Sequence, residues 1–97
     1  MLIEVEKDLK AGDVLSLKLS SGEEVISRYE GMDGDDYIVK NPMVLVAGPQ
    51  GLGMQPFMLS VKADGKFTMQ SKNIMCAKRT EEELAKQFVQ QTTGLTI

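Results

Sequence analysis

The sequence predicts an all-β fold, a small five-stranded barrel with a C-terminal α-helix. Three observations lead there. Short apolar segments alternate with polar residues at the two-residue period of strands, and clusters of glycine, aspartate, serine and proline separate them. After the last of these segments, a helix-starting motif at Thr80 precedes an apolar stripe with helical spacing.

The strands follow in order. In residues 14–19, Leu15, Leu17 and Leu19 share one face, with Ser16 and Lys18 on the other. Ser20-Ser21-Gly22-Glu23 is turn chemistry, and residues 24–30 are rich in β-branched and aromatic side chains, so a hairpin is expected. Gly31 to Asp36 make a second reversal. Residues 37–46 read as one strand interrupted at Asn41-Pro42, because proline cannot donate to a ladder. Residues 47–53 hold three glycines and a proline and are expected to form a loop.

From about Met54 the chain is extended again, and Asp64-Gly65 poses a choice. In a two-residue hairpin there, Val61 would face Thr68, leaving Phe67 and Met69 on a polar face. A strand that only bends at the glycine keeps Phe57, Leu59, Val61, Phe67 and Met69 on one side, so the bend is expected. Ser71-Lys72-Asn73 turns the chain into a short apolar fifth strand, residues 74–78. In Thr80-Glu81-Glu82-Glu83 a capping box is expected, with the Thr80 hydroxyl and Glu83 carboxylate meeting the first amides. Leu84, Ala85, Phe88 and Val89 form the stripe of a helix over about 80–92 that packs on the barrel or a neighbour and stops before Gly94. Residues 2–9 suit either a strand or a helical turn.

Composition sets the outer limits. A chain of 97 residues, 42% hydrophobic and 26% charged, fits a single globular domain, with the barrel over about 12–78. One cysteine, Cys76, allows no intrachain disulfide, which leads to an expected cytoplasmic location. No basic leader with an apolar run and no bilayer-length apolar stretch are present, so no membrane partner is expected. The chain has no histidine, which removes the commonest general base and zinc ligand. With a net charge of −3 there is no global positive field for nucleic acid, so any such contact must be local.

The order of strands and turns resembles the Sm and Sm-like (LSm) family of small, strongly bent, SH3-like barrels. Ser27-Arg28-Tyr29-Glu30-Gly31-Met32-Asp33 is similar to the family's first motif, and Met69-Gln70-Ser71-Lys72-Asn73-Ile74 to the second. The similarity covers roughly residues 12–78. It implies a non-enzymatic homo-oligomeric ring, closed by pairing the fourth strand of one protomer with the last of the next. Family members that bind RNA carry an asparagine after the first motif and an Arg-Gly pair in the second. Here Asp36-Tyr37 and Gln70-Ser71 stand near those places. The helix after the barrel resembles variants from tailed bacteriophages, in which case the cytoplasm is the host's.

Within that resemblance the candidate nucleic-acid-binding residues are Tyr37, Gln70, Lys72 and Asn73, gathered on one rim. Tyr37 would stack on an unpaired base of single-stranded RNA and Lys72 would meet phosphate. The alternative is a structural or protein-interaction module that docks through its C-terminal helix. Asp33, Asp35 and Asp36 lack the glutamate of a calcium loop and read as a solvated turn, so no metal is expected. Gly48, Gly51 and Gly53 lack the Gly-Lys-Ser/Thr ending of a phosphate loop. Cys76 has no partner base and is expected in the core, and most of the seven methionines are expected as core or interface filler. No cofactor and no catalytic residue is expected.

Overall fold

Alternating side chains build the first hairpin as the sequence predicts. The computed structural model describes residues 4–5 and 8–93. Strand β1 (Glu4–Val5) precedes β2 (Val14–Leu19), whose Leu15, Leu17 and Leu19 are all buried. The turn to β3 (Glu24–Asp33) is closed by the Leu19 amide donating to the Glu23 carbonyl, with Gly22 at φ +112°. An L side chain would be strained at that angle. The Ser21 hydroxyl bonds the Glu23 carboxylate and holds its pKa below the usual value.

Only Gly34-Asp35 turns β3 into β4 (Asp36–Gly48), a strand of 13 residues. Pro42 lies inside it, buried. Ile26 pairs with Met43 but Arg28 with Lys40, so β4 carries one extra residue around Asn41-Pro42, where Asn41 sits at φ +53°. This bulge is the expected interruption, and it tolerates a residue that cannot donate.

The loop expected over 47–53 is corrected. Gly48 pairs with Gly51 and only Pro49-Gln50 turn, so β5 (Gly51–Pro56) begins inside the glycine-rich stretch. Glycine signals a loop by itself, but it is also compatible with strands once a neighbour supplies the ladder.

Strand β6 (Lys66–Met69) pairs antiparallel with the first half of β4, as β5 does with the second half. Thus β5 and β6 run in the same direction, and Asp64-Gly65 is not a hairpin. The expected unbroken parity is corrected, however: residues 57–65 leave the sheet, exposing Leu59 (85%) and Val61 (47%). The cause lies opposite, in the β4 bulge. The Phe57 amide donates to the Pro42 carbonyl and the Asn41 amide to the Ala63 carbonyl, so residues 58–62 have no ladder partner there.

A one-turn 3₁₀ helix (Ser71–Asn73) leads to β7 (Ile74–Arg79), which pairs antiparallel with β2. On its other side β7 pairs in parallel with β1, Glu4 beside Cys76 and Val5 beside Ala77. That settles residues 4–5 as strand; residues 2–3 and 6–7 lie outside the described residues. Strand β7 is thus paired on both sides, by β2 and by β1. The order is β1-β7-β2-β3-β4-β5, with β6 also on β4. The molecule is mostly antiparallel sheet with one C-terminal helix, and among the described residues the expected barrel closure is absent.

Helix α1 (Glu82–Thr93) packs as its stripe predicts. Phe88 is fully buried with Ile26, Met43 and Met54, while Leu84 and Val89 flank them. A larger core, from Leu15, Leu17, Tyr29, Tyr37, Val39 and Ile74 among others, fills the opposite face of the sheet. The capping box is corrected: the helix starts one residue later than expected. The Glu81 carboxylate accepts from the Glu83 and Leu84 amides at 3.2 and 2.7 Å, whereas the Thr80 hydroxyl bonds Ser16 at 2.7 Å. Thr80 is drawn to β2, its amide also donating to the Val14 carbonyl, so the next acceptor caps the helix.

Candidate nucleic-acid interface

The turn between β6 and β7 is pinned through its backbone, which leaves its side chains outward. The Asn73 amide donates to the Gln70 carbonyl at 3.0 Å, and the Asn73 carbonyl accepts from the Ser20 amide at 2.8 Å. From β4, the Asp36 carboxylate accepts the Ser71 amide at 2.9 Å. Gln70, Lys72 and Asn73 are exposed on this support.

Two depressions meet at Gln70. One, about 240 Å³, is lined by Asp36, Gln70, Ser71 and Lys72. The other, about 230 Å³, has Phe57 and Met69 on its apolar side and Thr68, Gln70 and Asn73 on its polar side. Chemically, the carboxamides of Gln70 and Asn73 can pair with a base edge, and the Lys72 ammonium can meet a phosphate. Asp36 brings a negative charge into the same depression, which opposes tight binding of a polyanion.

Three of the four predicted residues therefore come together, and Tyr37 does not. It is 1% exposed, with its ring edge-on to Tyr29 at 6.3 Å between centroids. Strand parity explains the correction: Tyr37 and Val39 share the inward face of β4, so Asp36 turns toward the rim. A ring in that position cannot stack on a base. Burial raises the Tyr37 pKa, and among the described residues its buried hydroxyl has no hydrogen-bond partner. Sequence reasoning missed Asp36 and Phe57 as lining residues. Parity counted back from Val39 is the signal that would have separated Asp36 from Tyr37.

The other candidates separate by environment. Cys76 is half-buried and lines an open groove with Ser16, Lys18, Glu24 and Lys78, while its neighbour Ala77 takes the core position. The core placement expected for Cys76 is thereby corrected. Met43, Met54 and Met69 are buried, but Met32, Met58 and Met75 are more than 40% exposed. Among the described residues no group of three or more histidine, cysteine, aspartate or glutamate side chains is placed to hold a metal ion. No described helix is long and apolar enough to cross a membrane. No protein-family model matches the chain, and neither does any curated protein.

Proposed function

We propose that this chain is a non-enzymatic, Sm-like module that assembles with copies of itself into a ring and holds single-stranded RNA weakly at the turn of Gln70, Lys72 and Asn73. The observation that carries the reading is the open sheet. Its antiparallel strands follow one another as β7-β2-β3-β4-β5, and β5 ends the order with its outer backbone groups unpaired by any described strand. Natural sheets cover or blunt such edges, and a second copy is the cover that closes a ring. At the other end, β1 lies on β7 at Cys76 and Ala77, so β1 shares that interface. A cytoplasmic setting, the host's if the chain is phage-encoded, agrees with a single half-buried cysteine.

Light scattering at micromolar concentration is expected to return a multiple of the 10.7 kDa chain mass. The mass of one chain overturns the ring.

The RNA part rests on the rim geometry without Tyr37. Phe57, at the apolar wall of the neighbouring depression, takes the stacking role, and Lys72 supplies one phosphate contact per protomer. Binding should be weak and fall steeply between about 50 and 200 mM salt, because counterion release dominates such contacts. Titration of a labelled single-stranded oligouridylate with wild type, Lys72→Glu and Phe57→Leu tests it. Both variants are expected to weaken binding; no binding by wild type at low salt leaves the protein-interaction module as the reading.

A further inference from the structure

Strand register lines up three cations on the outer face of the sheet. In the β3–β4 ladder Arg28 pairs with Lys40, and in the β4–β6 ladder Lys40 pairs with Lys66. Directly opposed residues project to the same side, and adjacent strands lie about 4.8 Å apart, so the three side chains start from a line about 10 Å long. Their chain neighbours Tyr29, Val39 and Phe67 fill or pack on the larger core, which puts the row on the opposite, outward face. Lys66 is exposed and Lys40 half-buried. The Arg28 guanidinium lies 6.0 Å from the centre of the Phe88 ring and donates to the Gly12 carbonyl at 3.3 Å, ending the row beside α1.

Like charges directly opposed on a sheet repel. Among the described residues none of the three cations is in an ion pair, although Glu30 and Asp64 each lie two residues along the chain from one of them. In a chain of net charge −3 this is a local concentration of positive charge. It is also continuous with the rim turn. Lys66, Thr68 and the extended Gln70 alternate outward, and Thr68 and Gln70 line the same depression as Phe57 and Asn73. At about 3.3 Å per residue, Gln70 lies about 13 Å from Lys66. Along this path Lys72, Lys66, Lys40 and Arg28 outweigh the Asp36 carboxylate, which already accepts the Ser71 amide.

We infer that Lys40 and Lys66, with Arg28 at the end of their row, form a second phosphate-binding subsite, and that single-stranded RNA held at the rim turn runs along β6 to lay its phosphates across it. The ligand is a polyanion because a row of like charges is matched by a repeating counter-charge. It is nucleic acid because the same path offers the carboxamides of Gln70 and Asn73 and the Phe57 ring to its bases. The inference rests on the RNA reading and extends the footprint from Lys72 alone to Lys72, Lys66 and Lys40.

Labelled oligouridylates of about four and about twelve nucleotides test it, because single-strand sites on small barrels take about 4–16 nucleotides. In Lys40→Gln/Lys66→Gln the long strand is expected to bind about tenfold more weakly at about 50 mM salt, with a log–log salt slope shallower by about 0.7 per lysine. The short strand, which fills the rim alone, is expected to bind this variant as it binds wild type. Removing opposed like charges spares the fold, so the variant's urea midpoint should equal or exceed that of wild type. Lys18→Gln/Lys86→Gln removes the same charge away from the path and is expected to weaken the long strand less. Long-strand binding that needs Lys72 but ignores Lys40→Gln/Lys66→Gln, or that falls equally in the control, overturns the inference and leaves the rim site standing. Displacement of the long strand by polyglutamate as readily as by unlabelled RNA also overturns it, making the row a site for acidic protein. Long-strand binding that needs the row but neither Lys72 nor Phe57 supports the subsite and overturns the rim reading, and a wild type that binds neither strand overturns both.

Discussion

Tyr37 shows how one step along a strand exchanges a ligand contact for a core contact. Its ring fills the core against Tyr29, yet its hydroxyl has no hydrogen-bond partner among the described residues. A buried hydroxyl without a hydrogen bond costs on the order of 1–3 kcal/mol, so Tyr37→Phe should stabilise the protein by about 1 kcal/mol, read from the urea midpoint at neutral pH. Burial also raises the phenol's pKa above its ordinary value of 10.0. Because the folded value is the higher one, the protonated phenol's contribution is complete below about pH 10 and is lost as pH rises through the folded value. Above about pH 10 the wild-type midpoint should fall more steeply than that of Tyr37→Phe. Equal slopes would show that this hydroxyl does not titrate from the core.

At the scale of elements, the helix is held by one cap and one anchor. The Glu81 carboxylate meets two of the first amides and lies at the positive end of the helix dipole. Glu81→Ala should cost about 1 kcal/mol and reduce helical circular dichroism, while Thr80→Ala should lose the Ser16 bond and keep the helix. The reverse pattern would return the cap to Thr80. Phe88 is 0% exposed, and its truncation to alanine should cost about 3–5 kcal/mol or release α1 to proteolysis. Gly51, the first residue of β5 after the Pro49-Gln50 turn, sits at φ +114°, so Gly51→Ala should cost on the order of 1 kcal/mol through backbone strain alone. Urea midpoints compare all four variants on one scale.

For the whole molecule, the open sheet is the feature that calls for a partner. If assembly covers the outer edge of β5, folding and association are linked by mass action. The thermal midpoint of wild type should then rise with protein concentration. A midpoint independent of concentration over about a hundredfold range would mark a self-sufficient monomer.

What the sequence determined by itself was set by short-range pattern. The leucine alternation of β2, the Ser20–Glu23 turn and the inward stripe of α1 follow from local side-chain pattern, and the structure agrees with each, while β5 and β6 run in the same direction as expected but without the unbroken parity behind that expectation. Tertiary structure decided what depends on partners distant in the chain. It placed Asp36, instead of Tyr37, at the rim, because the facing of that strand is set by its neighbours β3 and β6. Thr80 went to Ser16, 64 residues away, which moved the cap to Glu81. The bulge at Asn41-Pro42 left residues 58–62 without a ladder and turned Leu59 and Val61 from expected core into surface. Periodicity specifies which residues can share a face, but only pairing across the sheet decides which face is inward and where a strand must leave it.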